Sequence, residues 1–185
     1  MASERDARRR AYLDKAAAEV DGLAARGVVA GGNAFSPVLL AKGELSADEL
    51  AGAEPFSGAD GDALKASLKA LGYAPEEWCW LLTCSADAAA PLDAVLLREA
   101  VCALDPATLI CADEAAAAAV RDAYADDLAG VASLPEAMLT PGLVVQVAGM
   151  RVLNLGGFAA ALSDAHEKQV MWARLKLAPP LGEPF

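Results

Sequence analysis

The chain has 185 residues, long enough for one well-buried domain and too short for two comfortable ones, so one domain is expected. Its 15 Lys and Arg stand against 26 Asp and Glu, and a net charge of −11 argues against an extended phosphate-binding surface, which needs clustered cations. Hydrophobic residues reach 56 %, much of it alanine in helix-like runs, and no apolar stretch approaches the roughly 18 to 20 residues that span a bilayer. Arg8, Arg9 and Arg10 have no apolar core behind them, so no secretory signal is read and a cytoplasmic location without membrane association is expected.

Residues 4–26 place Tyr12, Leu13, Ala16, Val20, Leu23 and Ala24 at helical spacing, with Gly27 as the cap. Gly31-Gly32-Asn33 read as a turn before a first strand, Val38–Ala41, and an acidic loop follows from Lys42 to Ser57. Asp60 is the expected N-cap of a helix to Leu71, ended by Gly72. Pro75-Glu76-Glu77 lead into a second strand, Trp78–Thr83, whose near-continuous apolar character suits a sheet covered on both sides. Pro91 opens a helix to Leu104, and Asp105-Pro106 separates it from the strand Thr108–Ala112. The alanine run after Asp113-Glu114 predicts a helix to about Tyr124.

Leu143–Val147 is a further strand run, Ala148-Gly149-Met150 a tight turn, and Arg151–Leu155 the partner or the continuation of that strand; a last helix spans about Ser163–Leu177. Strands alternating with helices predict an α/β fold: a three-layer α/β/α sandwich around a central, mainly parallel sheet of about four strands. The expected organisation is an N-terminal helix in 1–27 packed on a domain of 28–178, with a Pro-rich tail in 179–185.

The order of short motifs resembles the uracil-DNA glycosylase superfamily over roughly 28–178. Val28 to Asn33 is similar to that family's glycine-rich lead-in, and Val38–Leu40 to the strand after it. Pro55-Phe56-Ser57-Gly58 with Gly61 and Leu64 resembles its Pro-Phe-Val-Gly-x-x-Gly motif, and Leu104-Asp105-Pro106 before Leu109-Ile110 its Pro-marked strand entry. Gly149-x-Arg151-Val152-Leu153, then Lys168 and Trp172, resemble the flanks of its His-Pro-Ser loop. The resemblance implies a base pocket with Phe56 as the aromatic on which a flipped base stacks.

The departures fall on the chemistry. Counting back from Lys168 places the His-Pro-Ser loop on Gly157, Phe158 and Ala159, so the histidine expected to stabilise a departing uracil anion is absent. The water-activating acid falls on Gly43 by a gapless count, or on Glu44 with a one-residue shift. Thr83 and Cys84 stand where the family has a base-reading Asn, and a thiol offers only weak versions of an amide's donor and acceptor.

The cysteines (Cys79, Cys84, Cys102 and Cys111) include no CxxC pair, and the N-terminal cysteine pair of the cluster-bearing branches is missing, so no metal and no cofactor are expected. His166, the single histidine, reads as a surface residue. The candidate residues are Glu44 and Gly157 at the catalytic positions and Phe56, Thr83 and Cys84 at the ligand positions. The expected function is a divergent glycosylase-like protein without base excision. The alternatives are an atypical glycosylase using Glu44, and a protein-binding or assembly module on the same scaffold. Nucleic acid, disfavoured by the charge, and protein are the partner classes left open.

Overall fold

The computed structural model describes residues 4–34, 36–74, 78–88 and 90–181, so the lead-in 75–77 and the end of the tail fall outside it. In chain order come helix α1 (Glu4–Ala24), strands β1 (Ala30–Gly32) and β2 (Val38–Lys42), helices α2 (Ala47–Leu50) and α3 (Ala59–Ala70), and strand β3 (Trp78–Leu82). Helix α4 (Ala94–Leu104), strand β4 (Thr108–Cys111) and helices α5 (Glu114–Ala123), α6 (Ala125–Leu128) and α7 (Leu134–Ala137) follow. Strands β5 (Val144–Val147) and β6 (Met150–Asn154) and helices α8 (Phe158–Ala161) and α9 (Ala165–Leu175) complete the fold.

Among the described residues the sheet has six strands, in the order β1-β3-β2-β4-β6-β5, which corrects the expected four. β3, β2, β4 and β6 are parallel, with Val38 opposite Trp78 and Thr108, and Thr108 opposite Arg151. β1 and β5 border them as antiparallel edges. The unexpected strand, β1, is a strip of backbone beside the Trp80 indole: a Cβ on Gly31 would lie 2.4 Å from that ring. Glycines that make room for a neighbour carry no alternating pattern, which is why the segment reads as a turn. At the other edge, Ala148 (φ 48°) and Gly149 (φ 89°) form a two-residue turn of the kind that suits hairpin twist, so the run after it is the partner of β5 rather than its continuation, and it begins one residue earlier than expected, at Met150 opposite Val147.

Successive side chains of a strand point to opposite faces. Val38 and Leu40 of β2 join Ile110, Leu153, Leu64, Leu68, Met171 and Leu175 in one core, which α3, α8 and α9 supply from the helical side. Leu39 and Ala41 join Leu81, Leu109, Val152, Leu97, Val101 and Val120 in the other, with α4, α5 and Leu23 of α1. Helices therefore cover both faces.

The strand order fixes where a ligand fits. From β2 the chain crosses to β3 on one side, returns past β2 to β4 on the other, and continues outward. β2 and β4 are thus neighbours where the direction of winding changes, and open α/β sheets bind ligands outside the carboxyl ends of the strands at such a point.

Candidate functional site

β2 ends on a charge. Lys42 closes the apolar run Val38-Leu39-Leu40-Ala41 and is 3 % exposed, so its ammonium must be paired inside the protein. It donates to Glu49 Oε1 at 2.8 Å and to Asp60 Oδ2 at 2.6 Å. Burial works to lower the Lys42 pKa, and the bonds and charges of Asp60 and Glu49 outweigh it, leaving the ammonium's pKa raised.

Glu49 is delivered by a one-turn helix, α2, that a capping box holds in place. The Ser46 hydroxyl accepts from the Glu49 amide, and Glu49 Oε2 accepts from the Ser46 amide at 2.7 Å. Glu49 Oε1 also accepts from the Phe56 amide at 2.9 Å. Burial pushes the Glu49 carboxyl up, and the bonds from Lys42, Ser46 and Phe56 more than offset this, so its pKa lies below the ordinary range. One carboxylate thereby joins the end of β2, the cap of α2 and the loop that carries Phe56.

Phe56 sits at φ 59° with its ring almost wholly buried, and the Lys42 ammonium lies over that ring, 5.0 Å from its centroid. Helix α3 begins at Ala59 with Gly58 as its N-cap, so Asp60 does not cap it. The Asp60 carboxylate is in the first turn and is turned to Lys42 instead.

The loop after β2 is anchored to the loop after β4. Asp113, 6 % exposed, caps α5 by accepting from the Ala116 amide at 2.8 Å, and it accepts from the amides of Gly43 at 3.0 Å and Glu44 at 3.1 Å. A Cβ on Gly43 would lie 2.7 Å from the Ala116 amide nitrogen, so no side chain fits at that position. Of the two positions left open for the acid, only the second has one. Gly157 pairs with Asp113 as an isolated bridge, and the Phe158 amide donates to the Ala112 carbonyl at 2.8 Å.

These loops enclose a cavity of about 610 Å³ at the switch point. Lys42, Glu44, Asp48, Phe56, Asp60, Ala112, Asp113 and Gly157 are among its lining residues. Glu44, Phe56 and Gly157, far apart in sequence, therefore meet in one place. Thr83 and Cys84 do not join them: Thr83 Oγ1 donates to the Lys42 carbonyl at 3.4 Å and Cys84 is buried in a bridge to Pro91. Burial, with Asp113 and Asp87 nearby, pushes the Cys84 thiol's pKa up, away from a reactive thiolate. His166 is exposed at the start of α9, its amide held by the Asp164 cap, and it is not among the residues that line the cavity.

No protein-family model matches the chain, and no curated protein matches it. Function has to be read from the site's own chemistry. Among the described residues no group of three or more His, Cys, Asp and Glu is placed to hold a metal, and Cys79, Cys84 and Cys111 are buried apart from the exposed Cys102, so an iron–sulfur cluster does not fit. No described helix is long and apolar enough to cross a membrane.

The sequence reading missed Lys42, Glu49, Asp60 and Asp113. A signal existed for Lys42, since a lysine ending a run of four apolar strand residues needs a buried counter-charge. The signal did not say which of the many acids supplies it. The wall of the cavity carries Glu44, Asp48, Asp60 and Asp113 against Lys42 alone, and Lys42 is already bound to two carboxylates. An adjoining apolar groove of about 430 Å³ shares Ala59, Phe158 and Leu162 with the cavity and is walled by Met171, Trp172 and Lys168.

Proposed function

We propose that the chain is a divergent uracil-DNA glycosylase-like protein, a three-layer α/β/α scaffold that keeps the pocket and lacks base excision. The convergence of Glu44, Phe56 and Gly157 on one cavity at the switch point carries this reading. The close packing of Gly61 on the Phe56 carbonyl also supports it, because it gives the last glycine of the Pro-Phe-Ser-Gly-x-x-Gly stretch a physical reason. Loss of chemistry follows from the charges. A departing uracil anion needs a preorganised donor, and this cavity offers Gly157 where a histidine would stand, four carboxylates, and one ammonium bound to Glu49 and Asp60.

The same acidic wall disfavours a phosphate backbone. Of the described cations outside it, three are engaged singly: Arg174 donates to the Leu155 carbonyl, Lys65 to the Phe56 carbonyl, and Lys176 lies over Trp172. The test is incubation of the protein with labelled single- and double-stranded uracil oligonucleotides, reading retardation at low salt and abasic sites after alkali. No abasic sites are expected. Excision abolished by Glu44→Gln would overturn the reading and make Glu44 a catalytic residue of an atypical glycosylase. Binding without excision would make the protein a reader of nucleic acid. Neither would move the search to protein partners, for which the exposed Leu134 (71 %) and Met138 (49 %) beside the edge strand β5 are the first surface to mutate.

A further inference from the structure

We infer that Lys42 decides what the cavity admits: its side chain covers the face of Phe56 on which a planar guest would stack, so flat rings are excluded while Lys42 is in place. Phe56 lines the cavity, yet the residue as a whole is only 2 % exposed. Lys42 lines the same cavity, with its nitrogen 5.0 Å from the ring centroid. A surface lysine swings aside freely, but this one is held by Glu49 from α2 and Asp60 from α3, and the ring's own quadrupole adds to the hold. A neutral ring entering the site would have to strip the ammonium from both carboxylates and could return no charge to them. Space is not what is missing. A Cβ on Gly157 would meet nothing within 4 Å, so the cavity is open on that side and closed at its stacking surface. The inference rests on the proposed base pocket only for the identity of the guest.

Removing the ammonium leaves unequal partners. Glu49 keeps the amides of Ser46 and Phe56, whereas Asp60 loses its side-chain partner and is best neutralised in the same protein. The experiment compares the unmodified protein, Lys42→Ala with Asp60→Asn, and Lys42→Met with Asp60→Asn. The two variants lose the same charges, and only the methionine keeps a long side chain over the ring. Uracil and indole are titrated at millimolar concentration into protein with ¹³C-labelled phenylalanine, with the Phe56 ring signals assigned through Phe56→Leu.

Binding that shifts the Phe56 signals is expected to be at least about tenfold tighter in the alanine variant than in the other two. Indole bound without uracil would keep the role of Lys42 and remove the base-pocket reading. Uracil bound equally by all three proteins would overturn the role of Lys42 and leave the base pocket standing. A folded alanine variant that takes neither probe would overturn the inference. Lys42→Thr with Asp60→Asn, short and β-branched as a strand prefers, uncovers the ring a second way should the alanine variant fail to fold.

Discussion

A Cβ on Gly61 would lie 1.8 Å from the carbonyl oxygen of Phe56, so the first turn of α3 and the Phe56 loop touch backbone to backbone. The constraint is space. Gly61→Ala must push the loop off the helix, and since the obstacle is main chain it cannot rotate away. We expect a loss of about 3 kcal/mol or more, the upper end for overpacking. Gly58→Ala is the control: its Cβ would meet only the Asp60 carboxylate, at 3.3 Å, and a glycine N-cap replaced by alanine should cost under about 1 kcal/mol. Urea denaturation of both variants reads the difference, and equal losses would mean that the contact does not hold the loop.

Lys42→Ala tests the ion network as a structural element. Breaking a buried pair by removing one partner costs about 3 to 5 kcal/mol, because the other charge stays buried and unpaired. The side chains of Lys42 and Glu49 are 4 % and 3 % exposed, so solvent screening does not rescue them. Asp60→Asn in the same protein should recover part of the loss. Denaturant midpoints for the single and double variants check this, and a loss below about 1 kcal/mol in Lys42→Ala would place the strength of the loop elsewhere.

The scaffold was more legible than the site. Runs such as Val38–Ala41 and Thr108–Ala112 carry their burial in their composition, and Asp113 before an alanine run announces a helix start. β1 was hidden because its glycines record a neighbour, the Trp80 ring, rather than a pattern of their own. The short helix α2 was hidden inside an acidic stretch where Glu49, the one buried acid, looks like Asp48 and Glu54. Long-range pairing is what distinguishes it, and Lys42 with Phe56 becomes its neighbour only after β2 and α3 are in place. Thr83 and Cys84 lie outside the cavity lining for the same kind of reason: they follow β3, on the far side of β2 from the cavity's β4 wall.

Acid should weaken the fold through Glu49. Its folded pKa lies below the ordinary 4.5, so its contribution is complete above that value and is lost as pH falls through the folded pKa. Glu114, lowered by Arg121 and Asn154 against its burial, acts in the same direction. The Lys42 pKa lies above 10.5, so its contribution is complete below that value and is lost only as pH rises past it. In Lys42→Ala, Glu49 loses the foremost group that lowers its pKa while its burial remains. The stability gap between the two proteins should therefore narrow below about pH 4.5. Denaturation curves at intervals from pH 3.5 to 8 measure it, and a gap independent of pH would count against Lys42 and Glu49 as a charged pair.

The cysteines should divide by burial. Cys102 is exposed on α4, whereas Cys79, Cys84 and Cys111 are buried. Burial pushes the Cys79 thiol up to about 11 and that of Cys111 higher still, so neither forms thiolate at neutral pH. Titration of the native protein with a thiol reagent at pH 8 should modify Cys102 within minutes and the other three only after unfolding. Rapid reaction at Cys84 would show that the segment after β3 opens in solution.

Asp113 and Asp164 are both helix N-caps, and comparing them isolates what Asp113 does for the site. Asp164 accepts only from His166 and Glu167 at the start of its own helix, so Asp164→Ala should cost about 1 kcal/mol. Asp113 adds bonds to the amides of Gly43 and Glu44 across the cavity floor, in a buried setting, and hydrogen bonds to a charged group are the stronger kind. Asp113→Ala should cost about 3 kcal/mol. The loss should be local as well as global. Hydrogen exchange at the Gly43 and Glu44 amides should accelerate beyond what the change in overall stability allows, because those donors lose their acceptor even in the folded protein. Exchange that follows global stability alone would mean that the turn carrying Glu44 is held by its packing on α5, with Asp113 serving only as a cap.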